Sequence, residues 1–103
     1  MSILDDSYIL RSNNIVIKIM KKLKVSVIGS GSFGTALGSL SAKCGHNVVI
    51  FSNNLKTIDE INNKKRNTRY FPEDIILHKN LTATNNIDEC LQNSSMIIHA
   101  IPV

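Results

Sequence analysis

The first half of the chain alternates between a continuous apolar run and a periodic one. Leu23 to Ile28 is rich in β-branched residues and ends at Gly29, which predicts a buried strand. From Phe33 to Cys44 the apolar residues recur at helical spacing, at 33, 36, 37, 40 and 44. Gly45 follows directly and is expected to end the helix. We therefore predict a strand, a tight turn and a helix that packs on its apolar face.

The second half repeats the alternation with shorter elements. Strands are predicted at Asn47 to Phe51, at Leu81 to Ala83 and at Met96 to Ile101. A short helix carries Leu55, Ile58 and Ile61, and the loop that follows contains Pro72. Asn86 with Glu89 three residues later resembles a capping box and predicts a helix to about Leu91. Strands that alternate with helices are typical of an α/β protein with a parallel sheet.

Composition and charge limit the class of protein. The 103 residues are 43% hydrophobic, enough for one core, and their formal net charge of +4 permits an anionic partner. Residues 1–19 form a polar extension, for which we expect disorder or a loose strand at Ile15 to Ile19. Its Asp5 and Asp6 do not fit a secretory signal. No apolar run reaches the roughly 18 to 20 residues of a membrane span.

The turn after the first buried strand carries the pattern Gly29-x-Gly31-x-x-Gly34. Between a strand and a helix, the first glycine permits the tight turn, the second leaves space for a pyrophosphate, and the third brings helix and strand close together. The N–H groups of the first helical turn then face the anion. Gly38, one turn on, extends the small-residue contact face. A glycine-rich turn without a ligand is the simpler alternative, but the position of the glycines between a strand and a helix favours a dinucleotide cradle. The predicted fold is a Rossmann-type doubly wound parallel sheet, incomplete at about four strands.

Several blocks together resemble one enzyme family. "MKKLKVSVIGSGSFGTALGSLSAKCGHNVVIFSNN", "INNKKRNTRYFP", "LTATNNIDECL" and "SSMIIHAIPV" are similar, in order, to the amino-terminal domain of bacterial NAD(P)-dependent glycerol-3-phosphate dehydrogenases. The resemblance covers residues 20–103, which are thus expected to be a partial dinucleotide-binding domain. It implies that NAD or NADP is the cofactor and that the complete enzyme reversibly reduces dihydroxyacetone phosphate to glycerol 3-phosphate, a phospholipid precursor, by hydride transfer.

The resemblance also implies roles for particular residues. Ser32 and Phe33 match a cofactor-contacting pair, Asn53 and Asn54 match a pair facing the adenosine ribose, and Tyr70 matches an aromatic position beside the cofactor. The candidate cofactor-binding residues are therefore Gly29, Ser30, Gly31, Ser32, Phe33, Gly34, Asn53, Asn54 and Tyr70. The catalytic lysines and the carboxyl-terminal substrate domain would lie after residue 103. We expect the isolated chain to be inactive and the complete enzyme to be a cytoplasmic homodimer that binds a small phosphorylated substrate.

The end of the second buried strand bears on the choice of cofactor. NAD-selective folds place Asp or Glu about 20 residues beyond the first glycine. Here the sequence is Phe51-Ser52-Asn53-Asn54, with neither an acid to reject NADP nor an Arg or His to attract it. We therefore predict that both cofactors bind with similar affinity.

The remaining polar residues are interpreted as structural. The basic run at 64–66 with Arg69 is expected to be a solvated helix end rather than a nucleic-acid site. The three histidines, at 46, 78 and 99, lack metal-ligand spacing, and no metal site is predicted. Cys44 and Cys90 are expected in core positions and fit a reducing compartment. Two alternatives stay open: another two-domain reductase such as ketopantoate reductase, against which the block at Tyr70 argues, and a noncatalytic nucleotide-binding module or inactive relic.

Overall fold

The computed structural model describes residues 22–101 in full, and the backbone of three strands before them. These strands, β1 (Ser2–Leu4), β2 (Ser7–Ser12) and β3 (Ile15–Met20), form an antiparallel sheet in the order β1-β2-β3. The sequence predicted disorder here or a loose strand at residues 15–19. Of these two alternatives, the strand agrees with the backbone of β3 at Ile15–Met20, where a run of β-branched residues favours extended backbone. The division between an extension at residues 1–19 and a partial dinucleotide-binding domain at residues 20–103 stays a prediction.

The rest of the described chain alternates strands with helices, as the hydrophobic pattern predicts, and its strands form a second, parallel sheet. The elements in chain order are β4 (Lys24–Ile28), α1 (Ser32–Lys43), β5 (Asn47–Phe51), α2 (Leu55–Lys64), β6 (Leu81–Thr84), α3 (Ile87–Leu91) and β7 (Met96–His99). The strand order is β6-β5-β4-β7, with every neighbouring pair parallel. This confirms the predicted Rossmann-type doubly wound α/β fold with four strands.

The helices cover both faces of this sheet. Val27 and Ser26 are neighbours on β4, so their side chains point to opposite faces. A Cβ on Gly34 of α1 would lie 3.2 Å from Val27, whereas the Ser26 hydroxyl donates a hydrogen bond to the carbonyl of Cys90 in α3. Helices α1 and α3 therefore lie on opposite sides, and the strand order reverses between β4 and β7. Ligands of such sheets bind at this switch point, beyond the carboxyl ends of the strands.

The prediction for the buried face of α1 is wrong in part. The helical period is present, but the large apolar residues at its predicted core positions face outward, with Phe33 64% and Leu40 59% exposed. The buried residues are Gly34, Thr35, Gly38 and Ala42. Because a Cβ on Gly38 would lie only 3.1 Å from Leu81, the helix is too close to the sheet for large side chains to fit between them. The contact face of small residues predicted from Gly34 and Gly38 is the correct one.

The predicted helix ends agree with the structure more closely. Gly45 follows the last turn of α1 with a positive φ of 98° and donates to the carbonyl of Ala42 at 3.0 Å. Asn86 caps α3 by accepting from the Glu89 N–H at 3.0 Å. Cys90 is buried as predicted, but Cys44 is exposed, because it lies at the carboxyl-terminal cap of α1 rather than on its buried face. Across residues 22–101 and the three earlier strands, no helix is both long and apolar enough to cross a membrane.

Candidate functional site

The glycine-rich turn lies where β4 meets α1, and two of its glycines are required by geometry. Gly29 has a φ of +124°, and a Cβ there would lie 2.9 Å from the carbonyl oxygen of Ala100. A Cβ on Gly34 would lie 2.5 Å from the carbonyl oxygen of Gly29. Chain neighbours apart, no heavy atom of the described residues lies within 4 Å of a Cβ built on Gly31. Gly29 and Gly34 therefore serve the packing of the turn, whereas Gly31 opens onto free space.

Helix α1 begins at this open space without a side-chain cap. Gly31 occupies the N-cap position, and the first helical hydrogen bond runs from the Thr35 N–H to the Gly31 carbonyl at 3.0 Å. The N–H groups of residues 32–34 precede that bond and have no acceptor within the helix. The first turn also contains no acidic residue. Free N–H groups and the positive end of the helix dipole together make this end of α1 suited to a phosphate.

A cavity of about 400 Å³ lies against the turn. It lies at the carboxyl ends of the central strands, and aromatic side chains are among its lining. Its lining consists of Gly29, Ser30, Gly31, Ser32, Phe33, Phe51, Ser52, Asn53, Tyr70, Ala100 and Ile101. Phe33 and Tyr70 stay 64% and 45% exposed, so both rings are accessible to a ligand. The volume lies within the range of cofactor and small-molecule sites.

Hydrogen bonds fix the turn to the end of β5. The Ser30 hydroxyl donates to the Ser52 hydroxyl oxygen at 2.7 Å, and the Asn54 N–H donates to the same oxygen at 3.1 Å. Ser52 is buried at 4% exposure, although it reaches the cavity wall. The end of β5 therefore presents neutral hydroxyl and amide groups to the cavity, and no carboxylate is among the lining residues.

The structure brings most of the predicted site residues to one place. All of them except Gly34 and Asn54 line the cavity. Gly34 faces the sheet, as its predicted packing role requires. Asn54 caps α2, because its Oδ1 accepts from the Thr57 N–H at 3.0 Å, and it lines a neighbouring cavity of about 310 Å³ with Lys56 and Arg69. The role of each residue toward a cofactor stays a prediction.

The basic run beyond α2 binds main-chain carbonyl groups of its own chain. Lys65 Nζ donates to the Leu81 carbonyl at 2.6 Å, and burial lowers the pKa of this ammonium. Arg66 Nε donates to the Glu73 carbonyl at 2.7 Å. The guanidinium of Arg69 lies 5.7 Å from the centre of the Tyr70 ring. Lys65 and Arg66 are therefore half-buried and bonded to main chain, whereas Lys64 and Arg69 are exposed as predicted for a solvated helix end.

Two of the histidines serve as local acceptors. His46 Nδ1 accepts from the Leu23 N–H and His78 Nδ1 from the Asn80 N–H, both at 3.1 Å. In the part of the chain that the structure describes, no three His, Cys, Asp or Glu side chains are grouped as metal ligands.

The candidate list from the sequence lacks five contributors to the site. Four of them line the cavity, and the rule that ligands bind beyond the strand ends could have found them: Phe51, Ser52, Ala100 and Ile101. The fifth, Asn67, lies behind the turn, 1% exposed, and donates from Nδ2 to the Ser30 carbonyl oxygen at 3.0 Å. Nothing in the polar stretch around it distinguishes a buried asparagine from a solvated one.

Comparisons with known proteins agree on one family. Residues 24–103 match the family model described as NAD-dependent glycerol-3-phosphate dehydrogenase N-terminus. The chain is 45% identical over 83 residues to the glycerol-3-phosphate dehydrogenase (NAD(P)+) of Streptococcus thermophilus, covering 81% of this chain and 24% of the relative. It is 44% identical over 78 residues to the enzyme of that name in Clostridium acetobutylicum, covering 76% of this chain and 23% of that one.

Solved structures show the same likeness. The crystal structure of glycerol-3-phosphate dehydrogenase from Coxiella burnetii superposes with a TM-score of 0.71 at 28% identity, over 79% of this chain and 25% of that one. The yeast enzyme, from Saccharomyces cerevisiae, superposes with a TM-score of 0.69 at 27% identity, over 80% of this chain and 27% of that one. The chain thus spans about a quarter of the length of the relatives that it matches.

Proposed function

This chain belongs to the family of NAD-dependent glycerol-3-phosphate dehydrogenase amino-terminal domains, and we propose from that premise that it binds NAD or NADP at the glycine-rich turn. The observation that carries the proposal is the start of α1, which has no side-chain cap and faces the cavity at Gly31, where there is space for a phosphate. The residues present fit a dinucleotide: small and neutral at the turn, aromatic on one wall, and hydroxyl- and amide-bearing at the end of β5.

Different residues of this site would bind different parts of the cofactor. The pyrophosphate would lie against the N–H groups of Gly31, Ser32 and Phe33, where the helix dipole favours negative charge. The adenosine ribose would lie near Asn53, at the end of β5, as in other folds of this type. Phe33 and Tyr70 would shield the cofactor from water on its exposed side. When bound, the nicotinamide supplies or accepts a hydride.

The reaction itself is a proposal for the longer protein. We infer that this chain provides the cofactor-binding part of an enzyme that interconverts dihydroxyacetone phosphate and sn-glycerol 3-phosphate, as the names of the relatives suggest. A small phosphorylated substrate, a homodimeric assembly, a cytoplasmic location and a place in phospholipid precursor synthesis belong to the same proposal. Of the nine candidate residues, the seven that line the cavity are proposed to contact the cofactor, while Gly34 brings α1 close to the sheet and Asn54 caps α2. None of the nine is proposed to transfer a proton.

Equilibrium binding tests the cofactor proposal directly. The chain is titrated with NADH and NADPH by fluorescence, while circular dichroism verifies that it is folded. We expect saturable binding of both, displaced by ADP-ribose, which carries the pyrophosphate, much more readily than by adenosine. A folded chain that binds neither reduced cofactor, or one from which adenosine displaces NADH as well as ADP-ribose does, would contradict the proposal.

A further inference from the structure

Asn67 is a buried polar residue in the loop that follows α2. It lies just beyond α2, and its neighbours Thr68, Arg69 and Tyr70 are all exposed, whereas its own side chain is 1% exposed. Its Nδ2 donates two hydrogen bonds of 3.0 Å, one to the Ser30 carbonyl oxygen and one to Thr35 Oγ1. The other amide atom, Oδ1, has no hydrogen-bond partner among the described residues. The contacts of this side chain are therefore directed at the glycine-rich turn and the first turn of α1.

These hydrogen bonds fix the direction of one peptide group in the turn. The Ser30 carbonyl oxygen accepts from Asn67 Nδ2 and also from Thr35 Oγ1, at 3.2 Å. In a planar trans peptide the carbonyl and the following N–H point in opposite directions. With the Ser30 carbonyl held toward Asn67, the Gly31 N–H must point the other way, away from the protein interior. This is the N–H group that begins the proposed phosphate site.

The main chain of Asn67 also contacts the segment that carries Tyr70, a second part of the cavity lining. Its carbonyl oxygen accepts from the N–H groups of Tyr70 at 3.2 Å and Phe71 at 2.9 Å. This turn carries the Tyr70 ring to the cavity that the glycine-rich turn also lines. Asn67 therefore joins two segments that are more than thirty residues apart in the chain, while it does not itself line the cavity.

We infer that Asn67 is a positioning residue for the dinucleotide cradle: it orients the Ser30–Gly31 peptide so that its N–H faces the cofactor pyrophosphate, and it fixes Tyr70 relative to that peptide. The inference rests on the proposed cofactor function. It predicts that loss of the Asn67 amide weakens recognition of the pyrophosphate but not of an adenine nucleoside, which depends on the end of β5.

The test compares two asparagines that bind main chain in different places. Asn67→Leu keeps the branching of the side chain and removes its donor. The matched control is Asn62→Leu, since Asn62 Nδ2 donates to the Ala83 carbonyl at 2.9 Å and its Oδ1 accepts from the Ala83 N–H at 2.8 Å, away from the turn. We expect Asn67→Leu to bind NADH about tenfold or more weakly and adenosine within about twofold of the unsubstituted chain, with Asn62→Leu within about twofold for both.

The order of the Gly31 amide gives a measurement that needs no ligand. By NMR, we expect the heteronuclear NOE of the Gly31 amide to fall in Asn67→Leu, because its peptide group is no longer held by the Ser30 carbonyl, and to stay unchanged in Asn62→Leu. If the chain is folded but binds neither NADH nor NADPH, the cofactor proposal fails, and the heteronuclear NOE at Gly31 still decides whether Asn67 orients the peptide.

Other outcomes overturn the inference. It is wrong if folded Asn67→Leu binds NADH within about twofold of the original chain, or if it loses affinity for NADH and adenosine equally. Should Asn67→Leu fail to fold, Asn67→Ala decides, because it removes the same donor and adds no bulk. Unchanged NADH affinity and an unchanged heteronuclear NOE at Gly31 in Asn67→Ala would then refute the positioning role.

Discussion

Replacing Gly31 with valine should separate cofactor binding from folding. The Gly31 backbone is extended, with φ −72° and ψ −172°, a conformation that any residue adopts. In the part of the chain that the structure describes, a Cβ at this position meets no heavy atom within 4 Å apart from its chain neighbours. The substitution therefore strains neither backbone nor packing, and we expect the free energy of unfolding to change by at most about 1 kcal/mol in either direction.

Binding should respond much more strongly than stability. The space that the valine side chain enters is the space that we assign to the pyrophosphate, beside the free N–H groups at the start of α1. A hydrogen bond to a charged group contributes about 1.5 to 3 kcal/mol. Displacement of the phosphate from one such N–H would weaken the dinucleotide about tenfold to a hundredfold, because about 1.4 kcal/mol corresponds to a factor of ten.

The assay is NADH fluorescence titration alongside urea unfolding followed by circular dichroism. Gly45→Ala is the matched control, since its Cβ also enters open space but its φ of +98° disfavours any side chain. That control should lose about 1 to 2 kcal/mol of stability and keep its affinity for NADH. If Gly31→Val binds NADH within about twofold of the original chain while folded, the phosphate does not lie at Gly31.

Three further predictions concern other residues. The chain should bind NADH and NADPH within about tenfold of each other, and Ser52→Asp should shift the ratio of the two dissociation constants toward NADH, because a carboxylate there repels a 2′-phosphate. Hydrogen bonds from the Thr68 hydroxyl and N–H lower the pKa of Glu60 below its ordinary 4.5. These hydrogen bonds therefore stabilise the fold above pH 4.5, and the stabilisation is lost as the pH falls through the lowered pKa. Glu60→Gln should therefore unfold more readily than the original chain at pH 7, with the difference vanishing in acid. In a thiol-reagent assay at pH 8, Cys44 should react quickly and Cys90 only on unfolding, because burial raises the Cys90 thiol pKa.

The order and type of the elements from β4 to β7 could be predicted from the sequence because each has a local cause. Continuous β-branched runs gave the strands, and Gly45 and Asn86 marked helix ends through their own backbone or side chain. Asn67 had no such signal. Its burial depends on partners 37 and 32 positions away in the chain, Ser30 and Thr35, and the polar residues around it are typical of a solvated loop. A residue whose environment comes entirely from distant segments cannot be identified by local pattern.

Hydropathy and the glycine pattern predict different buried faces for α1, and the structure explains the difference. Periodicity identifies an apolar stripe on a helix, but it does not say how close the helix lies to its neighbour. Gly34 and Gly38 contain that information, because a Cβ on Gly34 would be only 2.5 Å from the Gly29 carbonyl oxygen. So close an approach leaves space for glycine, threonine and alanine alone, and it turns the larger Phe33 and Leu40 outward. The same approach places the start of α1 directly beyond the end of β4, so the third glycine of the motif positions the helix dipole toward the cavity although it does not line that cavity.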